Sequence, residues 1–281
     1  MKSALILATA LAYAVPAMSP AQAQEAGQNT GQEAAADWDM TRDPDKKLSI
    51  AHTVFDNGVG IGARCLNGSF QVLISGLPPA TGATRQLRIA FGDDDFDEQR
   101  WNVAENPEVA ISDRPSPLAR DMREGGKMQI IVAGGAEGGR NLRYVLDLPA
   151  SSAAIDETLQ ACNRPLVDPR DAELDALGDD GLPMNIEWAQ EPQPAYPQGR
   201  TYVRGFATVS CLTQPDGRVR DCVVETEHPI DGGFGRAAID ATRRARLKSK
   251  DGGEVPLGMI QFRTNFMMDS SASTGSRLRS N

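Results

Sequence analysis

Apolar and polar residues alternate in short runs along most of the chain. Phe70 to Ile74, Gln86 to Phe91, Val109 to Ser112, Lys127 to Ala133 and Leu142 to Leu148 read as strands, separated by loops of Pro, Gly and Asp. Such spacing predicts a mostly-β domain, a sandwich or a partly open barrel. Ser151-Ser152 then reads as a helix N-cap and Ala153 to Ala161 as a short helix leading to Cys162.

A second pattern fills the last third. Two β-runs, Gly205 to Leu212 and Val219 to Glu227, flank the turn Gln214-Pro215-Asp216-Gly217-Arg218. Pro presets φ, Asp bonds its own backbone and Gly accepts positive φ, so the pair predicts a hairpin. Phe234, Ala237, Ala238, Ala241 and Ala245 recur at helical spacing, predicting a helix over Phe234 to Lys248. Arg236, Arg243, Arg244, Arg246 and Lys248 crowd toward its C-terminal turn, where the macrodipole favours cations. In Met259 to Met267, Ile260, Phe262 and Phe266 share one face at period two, with Gln261, Arg263 and Asn265 on the other. Hairpin, helix and strand in that order predict a small α+β domain.

This stretch, Gln193 to Met268, resembles the C-terminal domain of the TonB family, the periplasmic end of outer-membrane energy transducers. The resemblance rests on Gln193-Pro194 before Tyr196-Pro197, Gly205, Pro215-Asp216-Gly217-Arg218-Val219, Phe234, Ala238, Arg243-Arg244 and a strand ending in Phe266. The sequence departs from the family at Arg204, where an acidic residue is usual, and at Ala245-Arg246-Leu247-Lys248, which replaces an aromatic-rich helix end. The resemblance implies an interaction module that takes an extended peptide of an outer-membrane transporter onto a sheet edge. On that basis Gln193, Pro194 and Tyr196 would flank the docking edge. Arg243 and Arg244 would supply charge near it, and Ile260 and Phe262 of the last strand would carry it.

At the other end, Lys2 precedes an apolar run, Ala4 to Ala17, and small residues around Ala23. This is the three-part pattern of a secretory signal peptide, too short to span a bilayer. It predicts residues 1–23 as a cleaved export signal and a periplasmic protein; the rival is a retained inner-membrane anchor. Glu25 to Ala36 offers little to bury and reads as a disordered leader within 24–37, as does a tail at 269–281. The mostly-β domain would then cover 38–166.

Charge and cysteines refine the division. Net charge is -9 over 281 residues, which argues against nucleic acid as a partner. Val167 to Pro192 holds eight acids and one Arg, whereas Gln193 to Asn281 holds thirteen Lys/Arg and nine acids. An acidic linker over 167–192 therefore joins the two predicted domains. Four cysteines behind an export signal suggest two disulfides, and the domain split favours Cys65–Cys162 and Cys211–Cys222 over the other pairings. Metal binding is the rival, but no CxxC pair is present.

Other features read as structural. Gly58-Val59-Gly60-Ile61-Gly62 lacks phosphate-loop spacing and reads as a turn. Asp93-Asp94-Asp95-Phe96-Asp97-Glu98 reads as a solvated acidic loop rather than a calcium loop, and His52 and His228 as lone surface or loop histidines. No nucleophile triad or carboxylate pair points to an enzyme, and no cofactor is implied. The expected partners are an outer-membrane TonB-dependent transporter or another envelope protein. The alternative is a structural protein that pairs the same edge with itself, as a homodimer.

Overall fold

The computed structural model describes residues 37–178, 180–199 and 202–268. The expected export signal, most of the expected leader and the expected tail lie outside them. The described residues are mainly β with four α-helices, and all belong to one compact unit.

The first strands form a meander: β1 (Asp39–Asp43), β2 (Leu48–Val54), β3 (Gly60–Leu66) and β4 (Ser69–Ser75). Two residues, Asn67 and Gly68, join β3 to β4, both at positive φ (51° and 81°). That is the twist-matched hairpin turn for which Asn-Gly is the preferred pair. After these come β5 (Thr84–Phe91), β6 (Asp97–Val103), β7 (Ala110–Ser112), the helix α1 (Pro115–Met122), β8 (Gly126–Val132) and β9 (Leu142–Leu148). All nine strands pair antiparallel in one sheet, ordered β1-β2-β3-β4-β7-β6-β5-β8-β9.

The helix α2 (Ala153–Ala161) packs on β2 and β3 and α1 on β4. Leu118, Met122, Ile155 and Leu159 of these helices meet Phe70, Ile74 and Ile130 in the main core. Ser152 occupies the N-cap of α2, yet its hydroxyl bonds Asp156 Oδ2 at 3.0 Å and no backbone amide. The expected capping bond is therefore replaced by a side-chain contact one turn on. A disulfide joins Cys65 on β3 to Cys162 at the end of α2.

The acidic segment 167–192 is not an unpacked linker. It holds α3 (Arg170–Asp175) and β10 (Ile186–Gln190), and it buries Leu174, Leu182 and Ile186. Apolar anchors at these three positions outweigh the charge that suggested a tether.

The remaining elements are β11 (Arg204–Thr213), β12 (Val219–His228), α4 (Phe234–Thr242), β13 (Arg246–Ser249) and β14 (Met259–Met267). A three-stranded antiparallel sheet runs β12-β11-β14, and β10 pairs with β13. The second disulfide, Cys211–Cys222, links β11 to β12. The helix expected to reach Lys248 ends at Thr242. From Ala245 the burial alternates: Leu247 and Ser249 point inward while Lys248 is exposed. That period-two pattern suits β13, and it overrides the helical spacing of the alanines.

Candidate functional site

The three-stranded sheet has two differently used faces. Ala207, Val209, Cys211, Ile260, Phe262 and Phe266 point into a core closed by α4. Here Gly205 is required: a Cβ would lie 2.3 Å from Cε2 of Phe234. The Phe234 and Phe266 rings meet with centroids 4.8 Å apart, and Tyr196 adds edge contacts at 5.7 and 6.4 Å.

The opposite face carries Phe206, Thr208, Ser210, Gln261 and Arg263 and packs against the nine-stranded sheet. Phe206 joins Ala104 and Ile111 in a small cluster. Asp113 accepts a hydrogen bond from Thr208 at 3.2 Å and lies 3.6 Å from Arg263 Nε. Nearby, Arg164 donates to the Val224 carbonyl at 2.7 Å and pairs with the buried Glu225 at 3.4 Å. Arg170 pairs with the same carboxylate, and Ser210 donates to it. Gln71 on β4 donates to the Glu227 carbonyl at 2.6 Å. His228 belongs to this junction and is not a surface residue. Its side chain is 16% exposed, stacks on Phe206 and sits 2.9 Å from Glu105. Burial pulls its pKa below the ordinary histidine value, against the opposing pull of Glu105.

β14 is an edge strand, bonded on one side to β11. Thr213 donates to Gly258 and Met268 to Val203, which sets the parity of the antiparallel ladder. Ile260, Phe262, Thr264 and Phe266 bond inward to β11, and Gln261, Arg263, Asn265 and Met267 turn their backbone groups outward. One outward rung is filled, the Gln261 amide donating to the Gly181 carbonyl at 2.8 Å. Among the described residues the amides of Arg263, Asn265 and Met267 have no partner. Trp188 and Tyr196 pack on Phe262 and Phe266 from the core side without bonding this edge.

The residues expected to flank or carry the edge are therefore distributed differently. Ile260 is fully buried and Phe262 is 7% exposed, and their backbones are committed to β11, so the edge passes to Arg263, Asn265 and Met267. Arg243 and Arg244 are exposed at the far end of α4. That helix crosses the sheet obliquely: Phe234 at its start touches Phe266 on β14, while Thr242 at its end lies 3.9 Å from Cys222 on β12. Its basic end thus sits on the β12 side, and Arg243 pairs with Asp240 at 3.1 Å. Gln193 is exposed and Pro194 half-buried in the segment leading to Tyr196, whose hydroxyl donates to the Tyr202 carbonyl.

Beside the edge lies a cleft of about 780 Å³ between β14, α1, α3 and strands β5 and β6. Eight carboxylates and three guanidiniums line it. Asp113 and Asp175 are paired with arginines, whereas Asp94, Asp95, Asp97, Glu98, Asp121 and Asp180 form no ion pair among the described residues. Asp121 keeps part of its surface in water. Desolvation against the cleft wall, then Asp175 and Asp171, nevertheless pushes its carboxyl up to about 6. Arg263 lines the same cleft with a side chain only 7% exposed; its guanidinium lies over the Phe206 ring, and its buried Nε makes no hydrogen bond to a described residue. The acidic loop around Asp95 was visible in the sequence; its place across the cleft from β14 was not, because nothing local encodes that juxtaposition.

No described helix is long and apolar enough to cross a membrane. Among the described residues no cluster of His, Cys, Asp or Glu is arranged to hold a metal ion.

Two solved structures are similar to parts of this chain. The solution structure of the TonB C-terminal domain of Pseudomonas aeruginosa aligns at 23% identity over 34% of this chain and 92% of that one, with a TM-score of 0.25. The crystal structure of invasion associated protein b from Bartonella henselae aligns at 13% identity over 47% of this chain and 98% of that one, with a TM-score of 0.35. At these scores the relationship to a TonB domain is weak. No protein-family model and no curated protein matches the chain.

Proposed function

We propose that this protein is a non-enzymatic interaction module of the cell envelope that takes an extended segment of a partner onto the outer edge of β14. The observation that carries the reading is the row of outward amides at Arg263, Asn265 and Met267 without partners among the described residues. An unpaired row of this kind is a template for another backbone. The bond from Gln261 to Gly181 supports the reading further, because the adjacent rung already accepts a carbonyl at ordinary distance. Backbone bonds supply the affinity in this mode, and pockets for alternate side chains supply the selectivity. The edge at β9 is a poorer template, since Arg143 and Asp147 stand on it as charged guards.

We further propose that the protein is exported to the periplasm and that its partner is an outer-membrane transporter or another envelope protein, engaged in energy-coupled transport. The export pattern at residues 1–23 and the ordered hairpin, helix and strand after Gln193 support this. Titration of the isotopically labelled protein with an extended peptide tests the edge. Backbone amide shifts are expected at Arg263, Asn265 and Met267. A saturating titration that leaves those three amides unmoved overturns strand addition.

A further inference from the structure

A strand added to β14 continues both faces of the sheet. Its side chains alternate, so every second one extends the face that carries Thr208, Gln261 and Arg263. That face opens into the cleft, whose far wall is formed by the loop and strand holding Asp94, Asp95, Asp97 and Glu98. These four side chains are exposed and free of ion pairs among the described residues, and Asp121 and Asp180 add two more unpaired carboxylates to the lining. The three arginines present are already engaged: Arg114 lies 2.6 Å from Asp175, and Arg100 and Arg263 share Asp113 at 3.5 and 3.6 Å. The cleft thus keeps a surplus of negative charge within reach of the open edge.

A second observation points to a ligand independently of that charge. The outward amides of β14 begin beside this cleft at Arg263 and continue through Asn265 and Met267, with no partner among the described residues. Unmade backbone donors along a sheet edge are a template for the carbonyls of an incoming strand.

We infer that the segment accepted at β14 is a cationic extended peptide, with Lys or Arg at alternate positions whose side chains enter this cleft while its backbone pairs with Arg263, Asn265 and Met267. This inference rests on the strand-addition reading and goes beyond it by naming the chemistry of the partner. A second copy of the chain fits the surface poorly, because the cation on the cleft face of its own β14, Arg263, is already held by Asp113. Complementary charge speeds encounter and sets which partner is accepted, more than it adds raw affinity.

The test uses the full chain and three labelled peptides of equal length, alternating Thr with Lys, Gln or Glu. Anisotropy is read at about 50 mM and about 500 mM salt, with amide shifts recorded in parallel. The Lys peptide is expected to bind about ten-fold more tightly than the Gln peptide at low salt, as two or three exposed ion pairs would give, with the preference largely lost at high salt. The variant Asp94→Asn/Asp95→Asn/Asp97→Asn changes only exposed side chains and is expected to erase the preference while leaving Gln-peptide binding intact. If all three peptides shift the β14 amides with equal affinity, strand addition stands and the cationic partner is refuted. If the Lys peptide binds without moving those amides, both fail. Dimerisation of the free protein through β14, seen by sedimentation, would also overturn the inference.

Discussion

The carbonyl of Gly181 lies 2.8 Å from the amide nitrogen of Gln261, so one loop of the chain already caps a single rung of the β14 edge. Gly181 has φ +74°, and a Cβ there would stand 1.8 Å from the Gln261 carbonyl oxygen. Only glycine lets the loop approach so closely. Gly181→Ala is expected to lower stability by about 1–3 kcal/mol. It should also speed hydrogen exchange at Gln261 while Phe262, bonded to β11, keeps its protection. Unchanged exchange at Gln261 would show that the cap does not depend on this glycine.

Glu225 is 4% exposed and serves Arg164, Arg170 and Ser210 together. Removing it leaves Arg164, itself 10% exposed, without its ion partner. Glu225→Ala is expected to cost about 3–5 kcal/mol in urea unfolding, because an uncompensated buried charge remains. Glu225→Ala with Arg164→Met should recover part of that loss, and a purely additive double variant would rule out the pairing as the cause.

The two disulfides close loops of different length, with sequence separations of 97 and 11. On the chain-entropy account, replacing the Cys65–Cys162 pair with serines costs about 4–5 kcal/mol, and replacing Cys211–Cys222 about 3 kcal/mol. Urea midpoints of the two double variants check the order. A larger loss from the shorter loop would mean that strain or local packing, not loop closure, dominates.

Asp121 gives a pH signature. Its carboxyl is raised from 3.8 to about 6 in the folded chain. Between those values the folded state holds a proton that the unfolded state has released, so this group's contribution falls as pH rises through the window and opposes folding above it. Asp121→Asn should therefore raise the melting temperature at about pH 8 and leave it unchanged at about pH 3, where both states are protonated. The gain should stay at or below about 1 kcal/mol, since the carboxyl remains partly solvated. An equal gain at both pH values would remove titration as the explanation.

Much of the C-terminal sheet was legible because its signals are local. The Pro215-Asp216-Gly217 turn and the alternation from Met259 to Met267 each encode a strand boundary within a few residues. The strands β2 and β3 were harder to read. Glycines at 60 and 62 dilute the alternation of β3, and the informative mark was the Asn67-Gly68 pair that turns β3 into β4. The end of α4 was misread because Ala241 and Ala245 satisfy a helical period while Leu247 and Ser249 satisfy a strand, and only packing against β10 decides between them. The site was legible only in halves. Gln261, Arg263 and Asn265 stood out as the polar face of the last strand, but which backbone groups turn outward depends on pairing parity with β11. The partnership of Asp113 with Arg263 spans the chain and leaves no local trace.

The packing of Phe206, Thr208 and Arg263 against the larger sheet has a practical corollary for dissection. A fragment cut near Gln193 would bare an aromatic ring and strip the Arg263 guanidinium of its counter-ion, while Glu225 would lose both arginines. Such a truncation is a different molecule, prone to stick through the newly uncovered side. β14 and the wall that supports it form an indivisible piece, and any domain-swapped hybrid would have to carry both.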